Sequence, residues 1–294
     1  MFKNLILYRV TKDPMVLADF AAHAFEPCGA HQEKSIGWVP PRGQEFGALV
    51  ETIGGHKLMK LMTETKAVPA QALQREVDRM CAEVEKSTGR KPGKKERREM
   101  ADEVRQNCLP YAFPKQSATL IWVDTNSGLL AVDASSQPKA DDAITMLLKA
   151  YEGLELQMLN PQTSPAAAMA AWLTEQEAPE DFTIDRECEL KASDESKAVV
   201  KYGRHPLDIE EVAQHIFAGK MPTKLALTWN DRVSFVLTEG LQVKKLAILD
   251  VVFEESASKS DTDADHFDAD MAITTGELSK MIPALIAALG GEVA

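Results

Sequence analysis

Strand-forming residues fill Phe2-Lys3-Asn4-Leu5-Ile6-Leu7-Tyr8-Arg9-Val10, so the chain is expected to open on a β-strand. Val16, Leu17, Phe20, Ala21 and Ala24 then recur at helical spacing and predict a helix over 13–25, broken by Pro27-Cys28-Gly29. Ile36 to Val39 reads as a short apolar strand stopped by Pro40-Pro41, and residues 56–65 as another strand after the Gly54-Gly55 turn. The pattern changes over 69–109. Val77, Met80, Cys81 and Val84 form one narrow apolar stripe at helical spacing, and Met100, Ala101, Val104 and Cys108 form a second. Gly89 to Gly93, with Pro92 inside, is the turn between them, which makes the segment an αα-hairpin. Its stripe is thin and its charge dense, so the hairpin is expected to project from the body.

Farther on, residues 117–124 and 129–134 read as strands around the turn Asn126-Ser127-Gly128. An amphipathic helix is expected over 138–151, and Ser164-Pro165 opens a further helix through Trp172. Residues 183–192 and 197–202 read as strands. Asp208-x-x-Glu211 has the form of a capping box, opening a helix that ends at Gly219. Residues 224–229, 233–238 and 243–252 predict a three-strand meander. Thr274-x-x-Glu277 is a second capping box, expected to open the last helix; Pro283 should kink that helix or shift its start, and Gly290-Gly291 should end it. Strands and helices come in runs without βαβ regularity. The fold class expected is therefore α+β, with antiparallel sheets, packed helices and a projecting helical hairpin.

Composition narrows the function classes. A chain of 294 residues with 45% hydrophobic and 27% charged residues can bury a sizeable core. No stretch approaches the roughly 18 apolar residues of a membrane-spanning helix, so no membrane partner is expected and the location expected is cytoplasmic. Cys28, Cys81, Cys108 and Cys188 are scattered, with no CxxC pair and no histidine at zinc-ligand spacing, which predicts idle or buried thiols and no metal site. The net charge of −12 argues on its face against nucleic acid. The two signs are sorted along the chain, however. Lys86, Arg90, Lys91, Lys94, Lys95, Arg97 and Arg98 stand against the single acid Glu96, so this window carries +6 and the other 281 residues carry −18. Such a cluster supplies the sequence-independent attraction for phosphates, or else is a solvated helix face. Few aromatics are interleaved with these bases, which favours a duplex backbone over stacked single-strand bases.

Catalytic patterns are missing: there is no GxGxxG, no complete P-loop around Gly93-Lys94, no GxSxG and no HExxH. Asp261-x-Asp263-x-Asp265 imitates a calcium loop, but His266 stands at the sixth position and Ala272 at the twelfth, so the turn and the bidentate ligand are lacking. No enzyme, cofactor or metal is assigned. Phe113, in Leu109-Pro110-Tyr111-Ala112-Phe113-Pro114, reads either as ordinary core or as an aromatic anchor for a partner.

Nine fragments in order resemble the bacterial recombination-associated RdgC family. They are Phe2-Lys3-Asn4-Leu5 with Tyr8-Arg9, Phe25-x-Pro27-Cys28-Gly29, Gly37-Trp38-Val39-Pro40-Pro41, Leu109-Pro110-x-Ala112-Phe113, Trp122-Val123-Asp124-Thr125, Gly219-Lys220 with Thr223-Lys224-Leu225-Ala226-Leu227, Phe267-Asp268-Ala269-Asp270, Thr275-Gly276-Glu277-Leu278 and Leu289-Gly290-Gly291-Glu292. The resemblance implies a horseshoe-shaped subunit of a ring-shaped homodimer. Such a ring encircles double-stranded DNA without sequence preference, restrains RecA-driven strand exchange and lacks a catalytic site, which implies a nucleoid-associated protein. It also implies three regions: a central region (1–68 with 115–180), a helical tip (69–114) and a base (181–294).

In that arrangement Phe113 packs into the partner subunit, and Arg204 and His205 fall at a second interface near the gate of the ring. His205 departs from the family's Lys-Gln pair there, and Tyr111 stands where a relative carries arginine. Lys115, Arg204, Lys224, Arg232, Lys244 and Lys245 are expected to line the hole together with the hairpin bases. RecA is then affected indirectly. The alternative is an interaction module that contacts RecA directly, with DNA secondary.

Overall fold

A computed structural model describes residues 1–12, 18–255 and 263–293, with side chains in the last stretch from His266 onward. The expected helix over 13–25 lies partly outside these residues, Val16 and Leu17 included, as do the side chains of the Asp261-x-Asp263-x-Asp265 segment. The strands are β1 (Leu5–Lys12), β2 (Lys34–Val39), β3 (Val50–Ile53), β4 (His56–Lys66), β5 (Pro114–Asp124), β6 (Leu129–Asp133), β7 (Glu155–Met158), β8 (Phe182–Ala192), β9 (Val199–Gly203), β10 (Lys220–Trp229), β11 (Val233–Thr238) and β12 (Val243–Ile248). The helices are α1 (Ala70–Thr88), α2 (Lys94–Cys108), α3 (Gln137–Ala150), α4 (Pro165–Glu175), α5 (Glu210–Phe217), α6 (Asp250–Glu255) and α7 (Asp263–Ala288). All the described strand pairings are antiparallel, as the α+β reading expects.

The chain divides into two compact units. The smaller holds Phe20–Val39 and Lys60–Thr119, so it contains the whole hairpin. The larger holds Met1–Asp19, Pro40–Met59 and Leu120–Ala294, and so joins most of the expected central region to the base.

In the smaller unit β2 pairs with β4 from Lys34 opposite Thr65 to Val39 opposite Lys60. Trp38 is buried edge-on to Phe20, with ring centroids 4.9 Å apart. Gly37 is required here. The backbone of Phe25 runs so close that a Cβ on Gly37 would sit 2.5 Å from the Phe25 Cα. The segment expected to be helical up to Phe25 is described only as a single 3-10 turn, Ala21–His23. It ends because Ala24 bridges to Trp38 and the Phe25 N–H donates to the Trp38 carbonyl. The hairpin forms as expected. Gly89 closes α1 in the left-handed region (φ 73°), and Val77, Cys81 and Val104 are its buried seam.

In the larger unit the strands run in the order β5-β6-β1-β12-β11-β10-β8-β9, with β7 also on β1. Period-2 alternation turns Cys188, Leu190, Tyr202, Leu225, Leu227, Phe235, Leu237 and Val243 into one core with Met169 and Trp172 of α4, Val212 of α5 and Leu278, Met281 and Leu285 of α7.

Three local expectations give way to tertiary contacts. The last part of the expected third strand of the meander is the short helix α6. Asp208 does not cap α5, whose N-cap is Ile209; Glu211 instead accepts the Tyr202 hydroxyl at 3.1 Å. Thr274 does not open the last helix either. Thr274 and Thr275 are buried inside α7, the Thr275 hydroxyl donates back to the Met271 carbonyl at 2.7 Å, and the helix runs on through Pro283.

Candidate nucleic-acid interface

The strands β8 to β12 bury one set of residues under the helices, and the alternate set points the other way. In β8 the buried thiol of Cys188, pushed up to about 12 by burial and the nearby Glu189 charge, alternates with Glu187, Glu189 and Lys191. Register then aligns the polar set. Glu189 lies opposite Lys201 on β9 and opposite Lys224 on β10, Lys224 lies opposite Thr238 on β11, and Val236 on the same face of β11 lies opposite Lys244 on β12. Lys245 joins them by reaching Glu187, with Nζ 2.5 Å from Oε1. Lys191, Lys201, Lys224, Lys244 and Lys245 thus share one sheet face. A polar depression of about 390 Å³ lies among Lys191, Lys224, Lys244, Thr223 and Gln242. The outward residues of these strands include no aromatic ring.

Of the residues that sequence reasoning placed in a DNA site, this face brings together Lys224, Lys244 and Lys245. It adds Lys191 and Lys201, which that reasoning missed. The signal for both was present, because each alternates with an apolar neighbour: Lys191 with Leu190, and Lys201 with Val200 and Tyr202. Arg204 is exposed on the turn after β9, in the left-handed region (φ 56°). His205 donates its N–H to the Arg186 carbonyl at 3.2 Å, and its ring lies 5.8 Å from that of Tyr202.

Arg232 is placed elsewhere. Its Nε donates to Glu277 of α7 at 2.8 Å and its NH1 to Glu255 of α6 at 2.6 Å. Those two carboxylates raise its affinity for its proton further. The guanidinium ties two helices to the β10–β11 turn and does not stand with the lysines. A sequence shows the arginine but not the carboxylates that converge on it.

The second basic surface is the hairpin of the smaller unit. All seven bases are exposed. Arg90 pairs with Glu96 at 2.6 Å and Arg97 with Asp78 at 2.7 Å, while Lys91 and Lys95 sit at 4.0 and 3.8 Å from Glu85 and Glu99. Glu96 also accepts the Gly93 N–H at the start of α2. Arg90 and that N–H together hold its carboxyl down at about 2. Lys86, Lys94 and Arg98 carry no carboxylate partner among the described residues. Lys115 is exposed at the start of β5, and its carbonyl accepts the Thr65 hydroxyl.

Phe113 is 94% exposed and Tyr111 86% exposed, just before β5 begins at Pro114, so the reading of Phe113 as core is overturned. The four cysteines are free thiols. No helix among the described residues is long and apolar enough to cross a membrane.

Comparison with known proteins gives these surfaces a family. The family model described as "Putative exonuclease, RdgC" matches residues 1–292. The chain is 42% identical to the recombination-associated protein RdgC of Janthinobacterium sp. (strain Marseille), over 99% of this chain and 98% of that one. It is 43% identical to that of Herminiimonas arsenicoxydans, over 100% and 99%, and 44% identical to that of Cupriavidus necator, over 99% and 98%. A match across the whole length, together with the fragments that first suggested it, shows that the chain belongs to the RdgC family of recombination-associated proteins.

Proposed function

We propose that the chain binds duplex DNA without sequence preference, closes around it as a homodimer, and thereby restrains RecA-driven strand exchange without cleaving the DNA. The observation that carries the reading is the sheet face with five lysines and no aromatic ring, in a protein whose net charge is −12. Ammonium groups spread over strands suit a row of phosphates. Base edges in a groove call for a helix or ribbon that enters it, and unpaired bases call for stacking rings. Ring closure rests on the family resemblance and on the exposed Phe113.

Titration with naked duplexes of unrelated sequence, with no other protein present, tests the reading. Equal affinities that fall steeply with salt support it. No binding until RecA is added would favour the interaction-module alternative. Replacing Lys94 and Arg98 together by alanine is expected to weaken binding severalfold on every sequence and to flatten the slope of log K against log salt by up to about two, near 0.9 per lost phosphate contact. An unchanged slope removes the hairpin from the interface.

The family description names a nuclease. Metal-assisted phosphodiester cleavage needs carboxylates converging on a metal. Among the described residues no three His, Cys, Asp or Glu side chains group so as to hold a metal ion, and Glu187 and Glu189 are held by lysines. End-labelled duplex that stays intact with Mg²⁺ or Mn²⁺ is the expected result.

Phe113→Ala should leave the fold unchanged within about 0.5 kcal/mol, as exposed substitutions do. It should shift sedimentation toward the monomer at low micromolar concentration. Unaltered sedimentation would take Phe113 out of the interface.

A further inference from the structure

Three of the five lysines on the sheet face are already engaged. Glu189, on the strand between β9 and β10, sits 3.0 Å from Lys201 Nζ on one side and 3.0 Å from Lys224 Nζ on the other, and it accepts the Thr223 hydroxyl at 2.9 Å. Two residues along the same strand and on the same face, Glu187 holds Lys245 at 2.5 Å. Lys191 and Lys244 carry no carboxylate partner among the described residues. Glu189 is 18% exposed. Burial opposes its ionisation, but the hydrogen bonds from Lys224, Lys201 and Thr223 outweigh burial and hold its carboxyl at about 2. It is therefore a fixed negative charge at any pH at which the protein works, planted in the middle of the positive face.

A phosphate oxygen that approaches Lys201 or Lys224 shares its ammonium with this carboxylate. An ammonium has three donors and can serve both, but the phosphate then stands a few ångströms from a like charge that water screens poorly. Glu187 acts on Lys245 in the same way with more solvent around it. Neither carboxylate closes the apolar core, which lies on the opposite face of β8. Both temper the mutual repulsion of neighbouring lysines across strands, and both subtract from the attraction the lysines offer to DNA.

We propose that Glu189, supported by Glu187, limits how tightly this face holds a phosphate backbone, so that bound duplex is held loosely and exchanges rapidly. The inference rests on the duplex-binding reading and concerns the strength of that same site.

The test is Glu189→Gln in the full chain, which removes the charge, keeps the shape and can still accept a hydrogen bond. Duplex binding is followed by fluorescence anisotropy between 50 and 200 mM salt, with dissociation by stopped flow; these salt values bracket the range where phosphate contacts titrate. Expected is a dissociation constant about tenfold lower than that of the wild type, dissociation slowed by a similar factor, and a salt slope steeper by about one to two. Glu187→Gln should give about threefold, in keeping with its single, more exposed lysine. Glu175→Gln, an exposed acid at the end of α4, should change nothing and controls for net charge.

A wild-type chain that binds duplex while Glu189→Gln binds equally or more weakly overturns the inference and leaves the duplex reading standing; the glutamate would then be an organiser of the lysines. If Glu189→Gln misfolds, the Glu187→Gln result decides by the same criterion. Wild type and both variants silent toward duplex would overturn the duplex reading and the inference together.

Discussion

Arg232→Ala is expected to lower the unfolding free energy by about 3 kcal/mol, the low end of the cost of removing one partner from a buried ion pair. Glu277 is the reason. Its side chain is 8% exposed on α7, and the Arg232 guanidinium supplies it with two hydrogen bonds, at 2.8 and 3.1 Å. Truncating the arginine leaves a carboxylate in an apolar interface with only Lys280, 3.9 Å away, nearby. The figure sits at the low end because the arginine side chain is itself 28% exposed, so water can partly replace it. For a chain of this size about 3 kcal/mol corresponds to roughly 6–12 °C in melting temperature.

Glu255, on the more exposed side of the same guanidinium, should cost less than about 1 kcal/mol when changed to alanine. Replacing Arg232 and Glu277 together by methionine and leucine should recover most of the loss. A melting temperature for Arg232→Ala within 2 °C of the wild type's would show that the clamp does not stabilise the fold. The same variant should leave the salt slope of duplex binding untouched, because this arginine holds helices and does not face the lysines.

That arginine also marks where the sequence stops being legible. The hairpin could be read because its signals are local: two thin apolar stripes and a turn punctuated by Gly89, Pro92 and Gly93. The strands could be read because alternation of two types of residue is a local property. The last helix was misread because Thr274-x-x-Glu277 satisfies a local capping pattern, whereas Glu277 is committed to a partner 45 residues away. The lysine face was half legible. Lys224, Lys244 and Lys245 stand out as bases, while Lys191 shares its strand with Glu187 and Glu189, and only pairing register reveals that Lys201 lies beside Glu189. Phe113 was ambiguous because its flanking prolines say extended chain and do not say on which side of it the ring lies.

Replacing Lys191, Lys201, Lys244 and Lys245 together by glutamine should weaken duplex binding about a hundredfold near 0.1 M salt and flatten the salt slope by up to about four, with the loss equal on every sequence. Neutral replacements are chosen because reversal would repel phosphates actively and inflate the effect. Lys224 is kept so that Glu189 retains one partner. Each substituted ammonium is half-buried or exposed on the outward face of the sheet, so little packing is lost and the fold should melt within a few degrees of the wild type.

The comparison with the hairpin variant is what gives the experiment its force. Four of the seven hairpin bases sit beside neighbouring acids, Arg90 at Glu96 and Arg97 at Asp78 most closely, so removing Lys94 and Arg98, two of the three without such a partner, should cost severalfold. The sheet variant should cost more than tenfold beyond that. If the two variants reverse this order, the hairpin is the main phosphate contact and the sheet face is secondary. If neither alters the slope, the attraction for DNA does not come from these lysines, and the proposed function falls with them.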